Sequence, residues 1–277
     1  MRRIARLVAA SALTVGLAAC AASVERYPTS ADYPAGTMER VAVQAGGHPW
    51  RLSALETPRT APWKVVVVTG TPSWSEYWAP VLAALPERFT MIVADRPGFA
   101  QSEPRGVVGS IGDQAEALSA MLDAAPGQRV ILVGQSYGAP IATLMAARYP
   151  DRVQALVLMS PFYGERGRTA RRLTGLGGMV RPMLPRDLKN SIAEVRGQAP
   201  QLPAARAALA GLKVPVVVLH GEADTFVPLA SARALAASRG SAPTAMITVP
   251  AGDHFLNACC VPALVGALET AAGMAEP

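Results

Sequence analysis

Six short apolar runs, rich in valine and ended by Gly, Asp or Pro, set the strongest constraint on how this chain can fold. They are WKVVVVTG, FTMIVADRPG, RVILVGQS, VQALVLMSP, VPVVVLHGEAD and AMITVPAGDH. A strand with one face in water alternates apolar and polar residues, whereas these runs are apolar almost throughout, so both faces must be buried. A parallel sheet covered by helices does that. Helix candidates stand between the runs, at Trp78 to Leu85, Ile111 to Ala124, Tyr137 to Tyr149, Ser231 to Ser238 and Pro262 to Ala272. Two earlier runs, ERVAVQAGG and PWRLSALE, with Gly46 and Gly47 between them, predict an antiparallel hairpin on the edge of the sheet. The expected fold class is α/β, with a mostly parallel sheet, that hairpin at its N-terminal side, and helices on both faces.

The chain opens with Arg2, Arg3 and Arg6 ahead of an Ala-rich apolar run from Leu7 to Ala19, the composition of a secretory signal. That run is shorter than the roughly 20 residues a membrane-spanning helix needs, and no later stretch is both that long and free of charge or Pro. An exported protein is expected. Leu17, Ala18, Ala19 and Cys20 resemble the lipobox of bacterial lipoproteins, a likeness that implies lipid attachment at Cys20 and a place in the cell envelope facing the periplasm; an ordinary signal cut after a small residue is the alternative. Residues 20–37, rich in Ala, Ser, Thr and Pro, read as a tether, which leaves 38–277 as one domain.

Three of the 26 basic residues lie in the signal, so the rest of the chain is close to balanced against 20 acids, which is no nucleic-acid pattern. With three cysteines there is no disulfide framework, and Cys259 and Cys260 read as two buried thiols, since a bond between neighbours is geometrically unfavourable. No metal-ligand cluster, phosphate-binding glycine loop or dinucleotide fingerprint is present, so no cofactor is expected.

VGQSYGAP places Gly134, Ser136 and Gly138 in the G-x-S-x-G pattern between an apolar run and a helix candidate. A serine held on such a strand-to-helix turn has its hydroxyl exposed for attack. In this order along the chain, TGTPSWSEYWAPVLAAL, DRPGFAQS, VGQSYG, LHGEADTFVP and AGDHF resemble the successive signature segments of the α/β-hydrolase-fold serine hydrolases, over nearly the whole sequence after the tether. The likeness implies an α/β-hydrolase fold with a small helical lid inserted before the acid-bearing strand, at about 161–212. Its implied activity is cleavage of a carboxylic ester through an acyl-enzyme. The same residues could serve an amide, a C–C bond or perhydrolysis, and a non-catalytic envelope lipoprotein keeping the fold is a further reading. Dehalogenases and epoxide hydrolases of this fold carry aspartate at the elbow, so Ser136 argues against both.

A serine nucleophile needs a base, and the chain offers only His48, His220 and His254. His48 falls in the early hairpin and reads as a surface turn residue; His220 ends a buried strand and reads as packed and hydrogen-bonded. The resemblance places the base at His254. The third member must be a carboxylate that fixes the imidazole tautomer. Asp224 suits the order Ser136, Asp224, His254, with Glu222, Asp253 and Glu165 as rivals. Backbone N–H groups of Thr71 and Tyr137 are the expected oxyanion donors. Two departures stand out: Thr69 where the family commonly has histidine, and Ala100 where it has glycine, which leaves that turn less free to take positive φ. The lid segment carries nine basic residues against three acidic ones, interleaved with Leu173, Leu176, Met179, Val180, Met183 and Leu184. A solvated charged face is the plainer reading, and a basic surface meeting anionic lipid the sharper one. The expected partners are a small acyl substrate and, through Cys20, a membrane.

Overall fold

Valine runs become strands because branched side chains suit a pleated, buried surface. The computed structural model describes residues 27–172 and 183–276. The expected signal, Cys20, and Leu173, Leu176, Met179 and Val180 of the lid lie outside the described residues. Among the described residues one sheet contains β1 (Glu39–Gln44), β2 (Arg51–Glu56), β3 (Trp63–Val68), β4 (Phe89–Ala94), β5 (Arg129–Gln135), β6 (Ala155–Met159), β7 (Val216–Gly221) and β8 (Thr244–Val249). Their spatial order is β1-β2-β4-β3-β5-β6-β7-β8. β1 and β2 pair antiparallel, with Val41 opposite Ala54, and β2 meets β4 antiparallel. From β4 to β8 every pairing is parallel.

Helices among the described residues include α1 (Ala79–Ala83), α2 (Ile111–Leu118), α3 (Gly138–Arg148), α4 (Arg186–Gly197), α5 (Leu202–Gly211), α6 (Leu229–Ala237), α7 (Leu256–Cys259) and α8 (Val261–Ala275). The period-2 alternation of β3 sorts its valines between the two sides of the sheet. Val66 and Val68 join Leu118 of α2, Ile141 of α3 and Leu209 of α5, whereas Val65 and Val67 join Val81 of α1 and Leu264 and Leu268 of α8. All four valines are fully buried. Each contributes about 1.5–3 kcal/mol relative to an exposed side chain, which is why these four positions are apolar toward both sides of the sheet.

The expected helices form with adjusted ends. The stretch predicted over Ile111 to Ala124 is α-helical only to Leu118 and continues as a 3-10 turn, Ser119–Leu122, where the Ser119 hydroxyl donates to the Glu116 carbonyl at 2.7 Å. The last helix runs on to Ala275. Of the segment expected as a tether, residues from Tyr27 are docked on the domain: the Tyr27 hydroxyl donates to the Tyr77 carbonyl, and Ser30 donates from both backbone and side chain to Glu76. These are polar contacts, which an apolar-period reading does not detect. Within the expected lid, α5 packs on α3 and sends Leu202, Ala205 and Leu209 into the core, so among the described residues α4 is the covering helix.

Cys259 and Cys260 correct a further expectation. They are disulfide-bonded to each other, with Cys259 exposed and Cys260 half-buried. They straddle the break between α7 and α8, where Cys260 has φ −140° and ψ 42°. A helix would have pointed the two side chains apart; this break does not.

Candidate active site

Parallel strands in register end together, and their loops gather at one edge of the sheet. Val68 lies beside Gly134, Gly134 beside Leu158, Leu158 beside Val218, and Gly221 beside Val249. The loops after β3, β5, β7 and β8 therefore meet beyond the carboxyl ends of the strands, the usual place for a site in an open α/β sheet.

Ser136 occupies the turn between β5 and α3 with φ 48°, a left-handed conformation that costs a non-glycine residue about 1–2 kcal/mol. The turn is held from both sides: the Ser136 N–H donates to the Met159 carbonyl, and the Ser136 carbonyl accepts from Ala139 and Phe162. The flanking glycines are demanded by close approach. A Cβ at Gly138 would lie 2.3 Å from the Val68 carbonyl oxygen, and one at Gly134 would lie 2.7 Å from the Cα of Ala139. Helix α3 can begin against β3 only if both are glycine.

Three side chains from three loops meet here. The Ser136 hydroxyl lies 2.9 Å from Nε2 of His254, and His254 Nδ1 donates to Oδ2 of Asp224 at 2.7 Å. A carboxylate only accepts, so it fixes the Nδ1–H tautomer and leaves Nε2 with its lone pair toward Ser136. The other oxygen of Asp224 accepts from the Phe226 and Val227 N–H groups at 2.7 and 2.9 Å. Burial alone would raise this carboxyl, but the hydrogen bond and charge of His254, the Val227 N–H and His220 outweigh it and hold it below its ordinary value. Phe226 stacks on the His254 ring with centroids 4.9 Å apart, and Phe255 meets it edge-on.

The rival carboxylates are elsewhere. Glu165 pairs with Arg206, Asp253 accepts from the Phe255 N–H, and Glu222 is exposed. His220 is fully buried beside Asp224 with Nε2 on the Val227 carbonyl, and burial lowers its pKa. His48 is half-buried rather than a free surface residue, stacked on Trp50 at 4.0 Å.

Thr71 and Ser136 line the same cavity, and neither the Thr71 nor the Tyr137 N–H has an acceptor among the described residues. Thr69 ties its loop together by donating to the Ser73 carbonyl at 3.3 Å. Ala100 takes positive φ, 42°, despite its methyl group, because its carbonyl accepts from Arg105 and Arg186 and its N–H donates to Asp187. The cavity measures about 840 Å³, and its walls include Phe162, Phe226 and, along one face of α4, Leu188, Ile192 and Val195. The spacing of these last three is the i, i+4, i+7 stripe of an amphipathic helix. Sequence reasoning missed Arg96, Gln114 and Glu194, which are buried beneath the Gly70–Thr71 loop. An arginine directly after Asp95 in DRPG, inside an otherwise apolar stretch, was the available signal.

Residues 64–173 match the family model described as alpha/beta hydrolase fold. A thermophilic esterase from Thermogutta terrifontis superposes with a TM-score of 0.68 over 86% of this chain and all of that one, at 19% identity. The fold is that of the α/β hydrolases. Among curated relatives, Haloalkane dehalogenase 2 of Mycobacterium tuberculosis is 30% identical over 100 residues, 36% of this chain and 35% of that protein. The 2-(acetamidomethylene)succinate hydrolase of Mesorhizobium japonicum is 25% identical over 227 residues, 68% of this chain and 80% of that protein. The chain thus spans about a third of the length of the first curated relatives it matches, and more of the second. One of these relatives is a dehalogenase by name and the other a hydrolase.

Proposed function

We propose that this α/β hydrolase cleaves carboxylic esters through an acyl-enzyme, with Ser136 as nucleophile, His254 as general base and acid, and Asp224 as the orienting carboxylate. The observation that carries the proposal is the pair of hydrogen bonds, 2.7 and 2.9 Å, running from Asp224 through His254 to Ser136 at the wall of an apolar cavity. His254 Nε2 takes the serine proton as Oγ attacks the carbonyl carbon, and Asp224 stabilises the imidazolium that forms. The tetrahedral oxyanion is received by the N–H groups of Thr71 and Tyr137, each without an acceptor among the described residues. His254 then returns the proton to the leaving alkoxide, and water repeats the sequence on the acyl-enzyme.

Halide displacement, the activity named for the mycobacterial relative, does not suit Ser136. Its oxygen would form an alkyl ether with no carbonyl for water to attack, a dead end. A succinate derivative such as the one named for the Mesorhizobium relative carries carboxylates; although Arg166 also lines the cavity, its walls are mainly aliphatic and aromatic and favour an uncharged acyl group. Labelling with a fluorophosphonate, in wild type and Ser136→Ala, tests the proposal; equal labelling, or none in either, overturns it. Turnover of p-nitrophenyl esters then separates ester cleavage from amide cleavage.

We also propose export and lipid attachment at Cys20, supported by the basic, apolar and small-residue order of Arg2 to Cys20. Membrane fractionation unchanged in Cys20→Ala would count against it.

A further inference from the structure

We infer that Glu194, on the covering helix α4, is a positioning residue for the oxyanion donor at Thr71. The inference rests on the ester-hydrolase reading above. Glu194 is fully buried and accepts four hydrogen bonds. One carboxylate oxygen takes Arg96 Nη1 at 2.7 Å and Gln114 Nε2 at 2.8 Å; the other takes Arg96 Nη2 at 3.0 Å and the Thr71 hydroxyl at 2.6 Å. Such a bidentate pairing fixes the plane of the guanidinium. Arg96 Nη2 in turn donates to the Gly70 carbonyl at 2.9 Å.

That carbonyl and the Thr71 N–H are the two ends of one planar trans peptide and point in opposite directions. Holding the oxygen on Arg96, which does not line the cavity, turns the N–H away from Arg96 toward the cavity that Thr71 and Ser136 share. Glu194 grips the same peptide twice, once through Arg96 and once through the Thr71 side chain. Glycine at position 70 supplies no side-chain packing of its own, so the loop depends on this grip. The donor that receives the oxyanion is therefore set by a residue of the covering segment, and the hole is complete only when α4 is seated.

The test compares wild type with Glu194→Gln, which cannot accept at both oxygens, and with Thr71→Val, which keeps the backbone N–H and the Arg96 pair but loses the hydroxyl. Losing one oxyanion donor lowers kcat about 10²–10³-fold, so a misdirected donor in Glu194→Gln should lower it about 10- to 100-fold and Thr71→Val about 3- to 10-fold, with KM within about threefold of wild type in both. A purely structural role would lower the amount of folded enzyme without this split. Kinetics on active-site-titrated enzyme equal to wild type in both variants overturn the inference. Should Glu194→Gln not fold, Thr71→Val carries the kinetic test. Amide exchange over residues 69–77 reads the loop without any turnover: faster exchange is expected in the variants, and unchanged exchange overturns the inference. Absence of ester turnover and of fluorophosphonate labelling in wild type would instead overturn the functional reading.

Discussion

Replacing Asp224 by asparagine changes one atom and should remove nearly all activity. The amide has one acceptor end and one donor end where the carboxylate accepts at both. Oδ1 faces two N–H donors, from Phe226 at 2.7 Å and Val227 at 2.9 Å, while Oδ2 accepts from His254 at 2.7 Å, with His220 Nε2 farther off at 3.5 Å. Turning the NH2 toward the two N–H groups would leave buried donors unpaired at about 1–3 kcal/mol each, so the NH2 must face His254 instead. His254 Nδ1 then becomes the acceptor and the ring proton moves to Nε2, where it points at Ser136 and no lone pair remains to take the serine proton. The same substitution in a serine triad costs about 10⁴ in kcat, roughly 5 kcal/mol of transition-state stabilisation. The assay is kcat on a p-nitrophenyl ester at pH 7, with active sites counted by fluorophosphonate, for Asp224→Asn and for Asp253→Asn and Glu165→Gln as controls. Asp224→Asn retaining activity within about tenfold of wild type would refute the tautomer argument, and a larger loss in either control would move the acid elsewhere.

Gly138→Ala should destabilise the fold by about 1–3 kcal/mol or more, read by urea denaturation, because its Cβ would meet backbone oxygens of Val68 and Thr69 at 2.3 and 2.6 Å and backbone cannot give way cheaply. Folded Asp224 titrates below its unfolded value of about 3.9, so it stabilises the protein above that pH, and the contribution is lost as pH falls through the folded pKa; denaturation between about pH 5 and pH 2 should show a steeper loss in wild type than in Asp224→Asn. Ile192→Trp should fill part of the cavity beside α4 and lower kcat/KM for a decanoyl ester about tenfold or more relative to an acetyl ester; equal loss on both would remove this wall from the acyl site.

The sheet was legible because its strands are local. Four consecutive buried valines in β3, or LVLM in β6, leave few structures other than a central parallel strand. The elbow was legible for the same reason, since Gly134, Ser136 and Gly138 answer to contacts within one strand-turn-helix unit and its neighbouring strand. Errors arose where long-range polar contacts or backbone breaks decided the outcome. Tyr27 and Ser30 dock through hydrogen bonds to residues some 50 positions away, and the bond between Cys259 and Cys260 depends on the irregular backbone between α7 and α8.

By itself, then, the sequence determined the layers, the turn that exposes Ser136, and a short list of histidines and carboxylates, because periodicity and turn chemistry act over a few residues. Which carboxylate faces His254 was decided by the tertiary structure, since Asp224, Glu222, Asp253 and Glu165 are chemically alike and differ only in where the loops carry them. The Arg96–Glu194 pair under the Gly70 carbonyl was decided there too: it joins residues 98 positions apart, and burial is what makes such a pair strong and directional.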